Sequence, residues 1–158
     1  MIVEGTYTFP GPREVLWHLL LDPEVLAKTL PGARADRIGL YGISRGGHAA
    51  LWAASTGAGV QAVVADAPAH TPAINLRPAS TLDVLTGLAA PVLIMHGTAD
   101  KEIPVEQSRE YERAALALGK PLAVVYFEGV GHMVSLTTDS QVEARQRGIA
   151  FLREHLLK

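Results

Sequence analysis

Three residues of this 158-residue chain have the types and order needed to attack a carbonyl group: Ser44, Asp100 and His132. Ser44 sits in GISRGGHAAL (residues 42–51), Asp100 follows PVLIMHGTA, and His132 follows LAVVYFEGVG. A serine hydroxyl is a weak nucleophile until a neighbouring base takes its proton. His132 is the candidate base, and the acid that later protonates the leaving group. Asp100 is the candidate to fix the imidazole tautomer and stabilise its cation. In this reading Gly42 and Gly46 relieve crowding at a strained turn, and Gly47 lets the following helix pack closely. The backbone N–H of Arg45, at the start of that helix, is expected to be one oxyanion donor.

Each residue taken singly has a plainer reading. A lone G-x-S-x-G is a weak signal without a strand before it and a helix after it. Asp100 suits a turn or a helix N-terminus, and His132 suits an ordinary loop. The weight comes from the order Ser, Asp, His with each residue just past an apolar run, as in hydrolases built on a nucleophile elbow. Asp66, which closes AVVAD, is an alternative acid, and Asp83 reads as a helix cap. His18, His48, His70, His96 and His155 show no metal-ligand spacing with acidic partners and read as structural or solvent-facing. No metal and no cofactor are expected.

From residue 37 onward strand-like and helix-like stretches alternate. Residues 37–43, 60–65, 91–96 and 122–128 read as short buried strands. Residues 45–56 read as a helix closed by Gly57 and Gly59, and a second helix runs from Pro104 to Leu118 with Gly119 ending it. A third helix starts near Thr138 or Asp139 and places Val142, Ile149, Leu152 and Leu156 on one stripe. Residues 67–80 form a loop, followed by a short helix at 82–88, and this stretch is expected to line a substrate pocket. The alternation predicts an α/β fold: a mostly parallel sheet of four strands with helices on both faces. Functional groups of such sheets gather at the carboxyl ends of the strands.

The first 33 residues have a different pattern, an alternating strand (MIVEGTYTF) and two short helices, with a junction at 31–36. The division expected is therefore 1–33 and 34–158. With 48% hydrophobic and 19% charged residues, a net charge of −2 and no basic run, the composition points away from nucleic acid and anionic membranes. No cysteine is present, which removes disulfides, thiolate metal sites and cysteine nucleophiles. The apolar run VLWHLLL is too short to span a bilayer and lacks signal-peptide flanks, so a cytoplasmic protein is expected.

Over residues 34–158 the chain resembles the α/β-hydrolase superfamily, within it the dienelactone-hydrolase and prolyl-oligopeptidase-like esterases. DRIGLYGISRGGHAAL, PVLIMHGTADKEIPVEQS and VVYFEGVGHMVS carry the resemblance. It implies hydrolysis of a small-molecule ester through an acyl-serine. Dienelactone hydrolases proper use cysteine where this chain has Ser44, which implies ordinary carboxylesters. The early strands of that fold are missing, and with them the loop that supplies the second oxyanion donor. In their place VEGTYTFPGPREVLWHLLLDPEVLAKTLPG resembles the start of a START-like, helix-grip protein of the type associated with carbon-monoxide dehydrogenase, implying a chimera.

The loss leaves an apolar sheet edge, which invites pairing with another chain. Residues 2–9 are expected to cover it, in cis or swapped from a partner, and a homodimer or higher oligomer is expected. Gly11 in FPGP is a candidate second oxyanion donor, and Arg45 and Arg77 are candidate holders of a substrate carboxylate. Three functions remain: a small serine esterase, a scaffold keeping the triad residues as relics, and a ligand-binding module inherited with the N-terminal segment.

Overall fold

Four runs of small and β-branched residues make the strands: β1 (Gly39–Ile43), β2 (Ala62–Asp66), β3 (Val92–Gly97) and β4 (Leu122–Phe127). They belong to a computed structural model that describes residues 11–12, 15, 36–70, 80–137 and 140–157. The chain divides into two compact units, Met1–Asp36 and Arg37–Lys158. Of the first unit only Gly11, Pro12, Val15 and Asp36 are described, so the strand and two helices expected over residues 1–33 lie outside the described residues.

In the second unit the strands run parallel in the order β1-β2-β3-β4, with Ile43 opposite Asp66 and Asp66 opposite Met95. Every residue of β2 and β3 is buried, as central parallel strands covered on both faces must be. Side-chain alternation divides the core in two. Val63, Ala65, Val92 and Ile94 pack with Leu51 and Tyr111 on one face, whereas Val64, Leu93 and Met95 pack with Ala144 on the other. Among the described residues β1 pairs with β2 alone; residues 2–9, expected along its outer side, lie outside them.

The first face is covered by α1 (Arg45–Ser55), a 3-10 helix (Thr81–Gly87) and α2 (Val105–Ala117). Gly57 and Gly59, both at positive φ, turn the chain out of α1, and Gly119 does the same after α2. The inward stripe of α2 is Val105, Ser108, Tyr111 and Ala115, so a polar residue occupies a core position one turn into the helix.

The second face is covered by α3 (Gln141–Leu156), where the structure corrects the sequence reading. Val142 and Ile149 are exposed, and the buried residues are Ala144 and Gly148, flanked by the half-buried Phe151 and Leu152. The reason is steric. A Cβ on Gly148 would lie 2.7 Å from the Tyr41 ring and 3.3 Å from Val64, so the smallest residues mark the contact face. Two caps also differ. Ser140 precedes α3, and Ser80, not Asp83, caps the 3-10 helix by accepting the Leu82 N–H at 3.2 Å. Asp83 is exposed in the first turn, and Thr138 and Asp139 lie outside the described residues.

Candidate active site

Ser44 is the single residue between β1 and α1, and its backbone stands at φ 55°, ψ −115°. Non-glycine residues rarely adopt a positive φ, and such strain persists only where the surroundings hold it. Here the Ser44 N–H donates to Asp66 C=O (2.8 Å), extending the β1–β2 ladder. The Ser44 C=O accepts from His48 N–H (3.1 Å), the first bond of the helix. The turn is tight enough to require Gly42, whose added Cβ would stand 2.2 Å from Gly46 O. Gly47 faces Pro68 at 3.0 Å, as expected for close packing, but Gly46 does not relieve crowding, because nothing lies within 4 Å of its Cβ position.

Asp100 occupies the loop after β3 and has a buried side chain. Its Oδ1 accepts the N–H groups of Glu102 (2.8 Å) and Ile103 (2.9 Å). Its Oδ2 accepts from His132 Nδ1 at 2.7 Å and from His96 Nε2 at 3.1 Å. Burial alone would raise its pKa, but the His132 hydrogen bond and the two loop N–H groups outweigh it and hold the carboxyl below its ordinary value. Asp100 is therefore ionised and accepts only, so His132 carries its proton on Nδ1. His132 Nε2 is left as an acceptor 3.0 Å from Ser44 Oγ.

The loop bearing His132 is fixed from two sides. Asp66, the alternative acid, does not approach His132 through any hydrogen bond described. Its carboxylate accepts Val134 N–H (3.0 Å), Ser135 N–H (2.8 Å) and the Ser135 hydroxyl. These bonds hold the loop while Met133 takes φ 61°. On the other side the loop crosses Gly97, where a Cβ would stand 2.2 Å from Val130 O. Ala99 N–H reaches Val130 C=O (2.9 Å) and Gly129 N–H reaches Thr98 Oγ1 (2.9 Å), so the Asp100 and His132 loops are tied together.

The structure thus brings Ser44, His132 and Asp100 into one hydrogen-bonded line, and Arg45 is the first residue of the helix that follows Ser44. The Arg45 side chain is exposed. Gly11 belongs to the other unit, and Arg77 and His18 lie outside the described residues. Among the described residues no cluster of histidine and acidic residues could hold a metal ion. His48 is buried with Nδ1 2.6 Å from Ala69 C=O, and His155 lies against the Phe151 ring. Two buried histidines exceed the sequence reading: His96 touches Asp100, and His70 joins it through Ser108.

A strand-elbow-helix serine hydrogen-bonded to a histidine on a later loop is shared by several hydrolase families, and sequence comparison separates them. The dienelactone hydrolase family profile matches residues 21–151. The chain belongs to this family. The match takes in residues 21–33, part of the N-terminal segment set apart in the sequence. No curated protein sequence matches this family member.

Solved structures place its fold. A Klebsiella pneumoniae protein described as a dienelactone hydrolase superposes with a TM-score of 0.70 at 23% identity, over 83% of this chain and 58% of that one. An acylaminoacyl peptidase of Pyrococcus horikoshii gives 0.73 at 21% identity, over 85% and 26% of the two chains. An esterase of Pyrococcus furiosus gives 0.68 at 17% identity, over 84% and 59%. At these identities the likeness is one of fold, and the chain spans well under two thirds of each neighbour.

Proposed function

We infer that this dienelactone-hydrolase-family protein is a serine hydrolase that cleaves small carboxylesters through an acyl-serine. The observation that carries this reading is the line Ser44 Oγ–His132 Nε2 (3.0 Å), His132 Nδ1–Asp100 Oδ2 (2.7 Å) at a strained elbow. Ser44 Oγ attacks the ester carbonyl carbon as its proton passes to His132 Nε2. The tetrahedral oxyanion forms beside the first turn of α1, where Arg45 N–H is the proposed donor. As the intermediate collapses, the C–O bond breaks and the alkoxide leaves with the proton from His132. Water then attacks the acyl-serine by the same steps in reverse, with His132 again the base. Asp100 remains ionised throughout and steadies the imidazolium.

Hydrolysis of a short p-nitrophenyl ester, with Ser44→Ala as control, tests the reading. A fluorophosphonate probe should label the unsubstituted protein and leave Ser44→Ala unlabelled; equal signals at background would sink the proposal. A second reading is a catalytically weak or inactive scaffold that keeps the triad residues as relics. Labelling without measurable turnover would support that second reading.

A further inference from the structure

Asp100 Oδ2 receives two imidazoles, and the second belongs to a buried chain of hydrogen bonds that the ester chemistry does not use. His96 Nε2 stands 3.1 Å from Asp100 Oδ2 and 3.0 Å from Ile103 C=O. On its other side His96 Nδ1 stands 2.7 Å from Ser108 Oγ. Ser108 Oγ is 3.2 Å from His70 Nε2, and His70 Nδ1 is 2.9 Å from Thr81 Oγ1. His96, Ser108, His70 and Thr81 are all buried.

The partners fix the direction of every bond. Nε2 of His96 faces two acceptors, a carboxylate and a carbonyl, so it must carry a proton. Burial disfavours the cation of both histidines, and pushes His70 down to about 3. A neutral His96 then accepts at Nδ1, so Ser108 donates its one proton there. The Ser108 oxygen accepts from His70 Nε2–H, and His70 Nδ1 accepts from Thr81. Thr81, His70, Ser108 and His96 therefore donate head to tail toward Asp100. Ser108, His96 and Asp100 form a second serine-histidine-aspartate set, but Ser108 has no solvent exposure and its proton points at His96, so it is not a nucleophile.

We propose that His96 is a positioning residue for the Ser44 site: its Nε2–H, locked in that tautomer by Ser108 and His70, holds the Asp100 carboxylate against His132 Nδ1. The proposal rests on the serine hydrolase reading for its kinetic consequence and on geometry alone for its hydrogen bonds. Among the described residues, the titratable groups hydrogen-bonded to this carboxylate are His96 from β3 and His132 from the loop after β4. Glu102, on the Asp100 loop, lies 3.9 Å from His132 Nε2, and His70 stands behind Ser108. The His96 bond disperses charge on Oδ2 that would otherwise act on His132 alone.

Two experiments test this. In the unsubstituted protein, 15N NMR of the histidine rings should find the proton on Nε2 of His96 and His70 and on Nδ1 of His132. A His96 proton on Nδ1 would overturn the relay. In kinetics, His96→Leu should lower kcat about ten- to a hundredfold with little change in KM, the loss of one hydrogen bond to a charged group. It should also move the acid limb of kcat/KM to higher pH, and His96→Gln, which keeps a donor, should restore both toward the original values. A lower fraction of fluorophosphonate-titratable Ser44, with turnover per titrated site and the acid limb unchanged, would mean a packing role only and would overturn the proposal. Absence of labelling in the unsubstituted protein would sink the hydrolase reading and the kinetic role with it, while the tautomers separately decide the hydrogen-bond chain.

Discussion

Asp66, at the end of β2, accepts the backbone N–H of Val134 at 3.0 Å, across 68 positions of sequence. This bond and its companions to Ser135 place the loop that carries His132. A carboxylate offers two acceptor oxygens, one for each backbone N–H, whereas an amide offers one oxygen and a donor. Asp66→Asn therefore leaves a buried N–H without a partner, at a cost of about 1–3 kcal/mol. Urea unfolding should show a lower midpoint at an unchanged slope. An unchanged midpoint would refute the anchoring role.

Gly42 and Gly46 separate two reasons for glycine at an elbow. Gly42→Ala drives a Cβ to 2.2 Å from a backbone oxygen that cannot swing aside, so its cost should reach or exceed the roughly 1–3 kcal/mol of ordinary overpacking. Gly46→Ala meets no atom within 4 Å and gains about 0.8–1 kcal/mol of helix propensity. Thermal melts should rank Gly46→Ala at or above the parent protein and Gly42→Ala far below it. The reverse order would contradict the elbow geometry.

Glu102 Oε2 lies 3.9 Å from His132 Nε2 on a side chain that is 71% exposed. Exposed charges contribute little, and salt screens them. Glu102→Gln should change the ratio of kcat/KM for cationic and anionic esters by no more than about fivefold, with the difference fading at high salt. A tenfold or larger change that persists in salt would require a buried contact with substrate.

The proximity of Ser44, Asp100 and His132 was legible because each follows an apolar run, and in parallel sheets such positions converge at one edge. Strand boundaries emerged within about two residues for the same reason, since buried strands are bounded by glycine, proline and polar turns. His96 was not legible as a partner of Asp100. It ends PVLIMH, and a histidine closing a buried run reads as structural. Its role depends on Ser108, which lies on the inward stripe of α2, a contact between elements. The available signal was the alternation Val92, Ile94, His96 facing the stripe Val105, Ser108, Tyr111. Asp66 was legible as a residue at the end of a strand, but its partners come from a loop far along the chain. The inner face of α3 was read only in part: Leu152 packs on the core as expected, but hydrophobicity favours large side chains, whereas close approach there selects Ala144 and Gly148.

Acid stability follows from the buried histidines. Burial first, then the neighbouring His96 and His48, lowers the His70 pKa from 6.5 to about 3. An unfolded chain therefore binds a proton at this residue below about pH 6.5, whereas the folded chain stays unprotonated until about pH 3. Stability is full above the unfolded value and falls with pH across that window, by about 1.4 kcal/mol per pH unit for one such group. His96, also lowered by burial, and Asp100, lowered against its own burial by His132 and two N–H groups, act in the same direction, Asp100 at lower pH. Urea titrations from pH 7.5 to 4.5 should show a plateau above about pH 7 and a decline below about 6.5. His70→Asn loses packing and starts from a lower plateau, but it removes one titrating group. Its decline should be shallower than that of the parent by about 1.4 kcal/mol per pH unit. Parallel slopes would show that His70 is not held neutral by the fold.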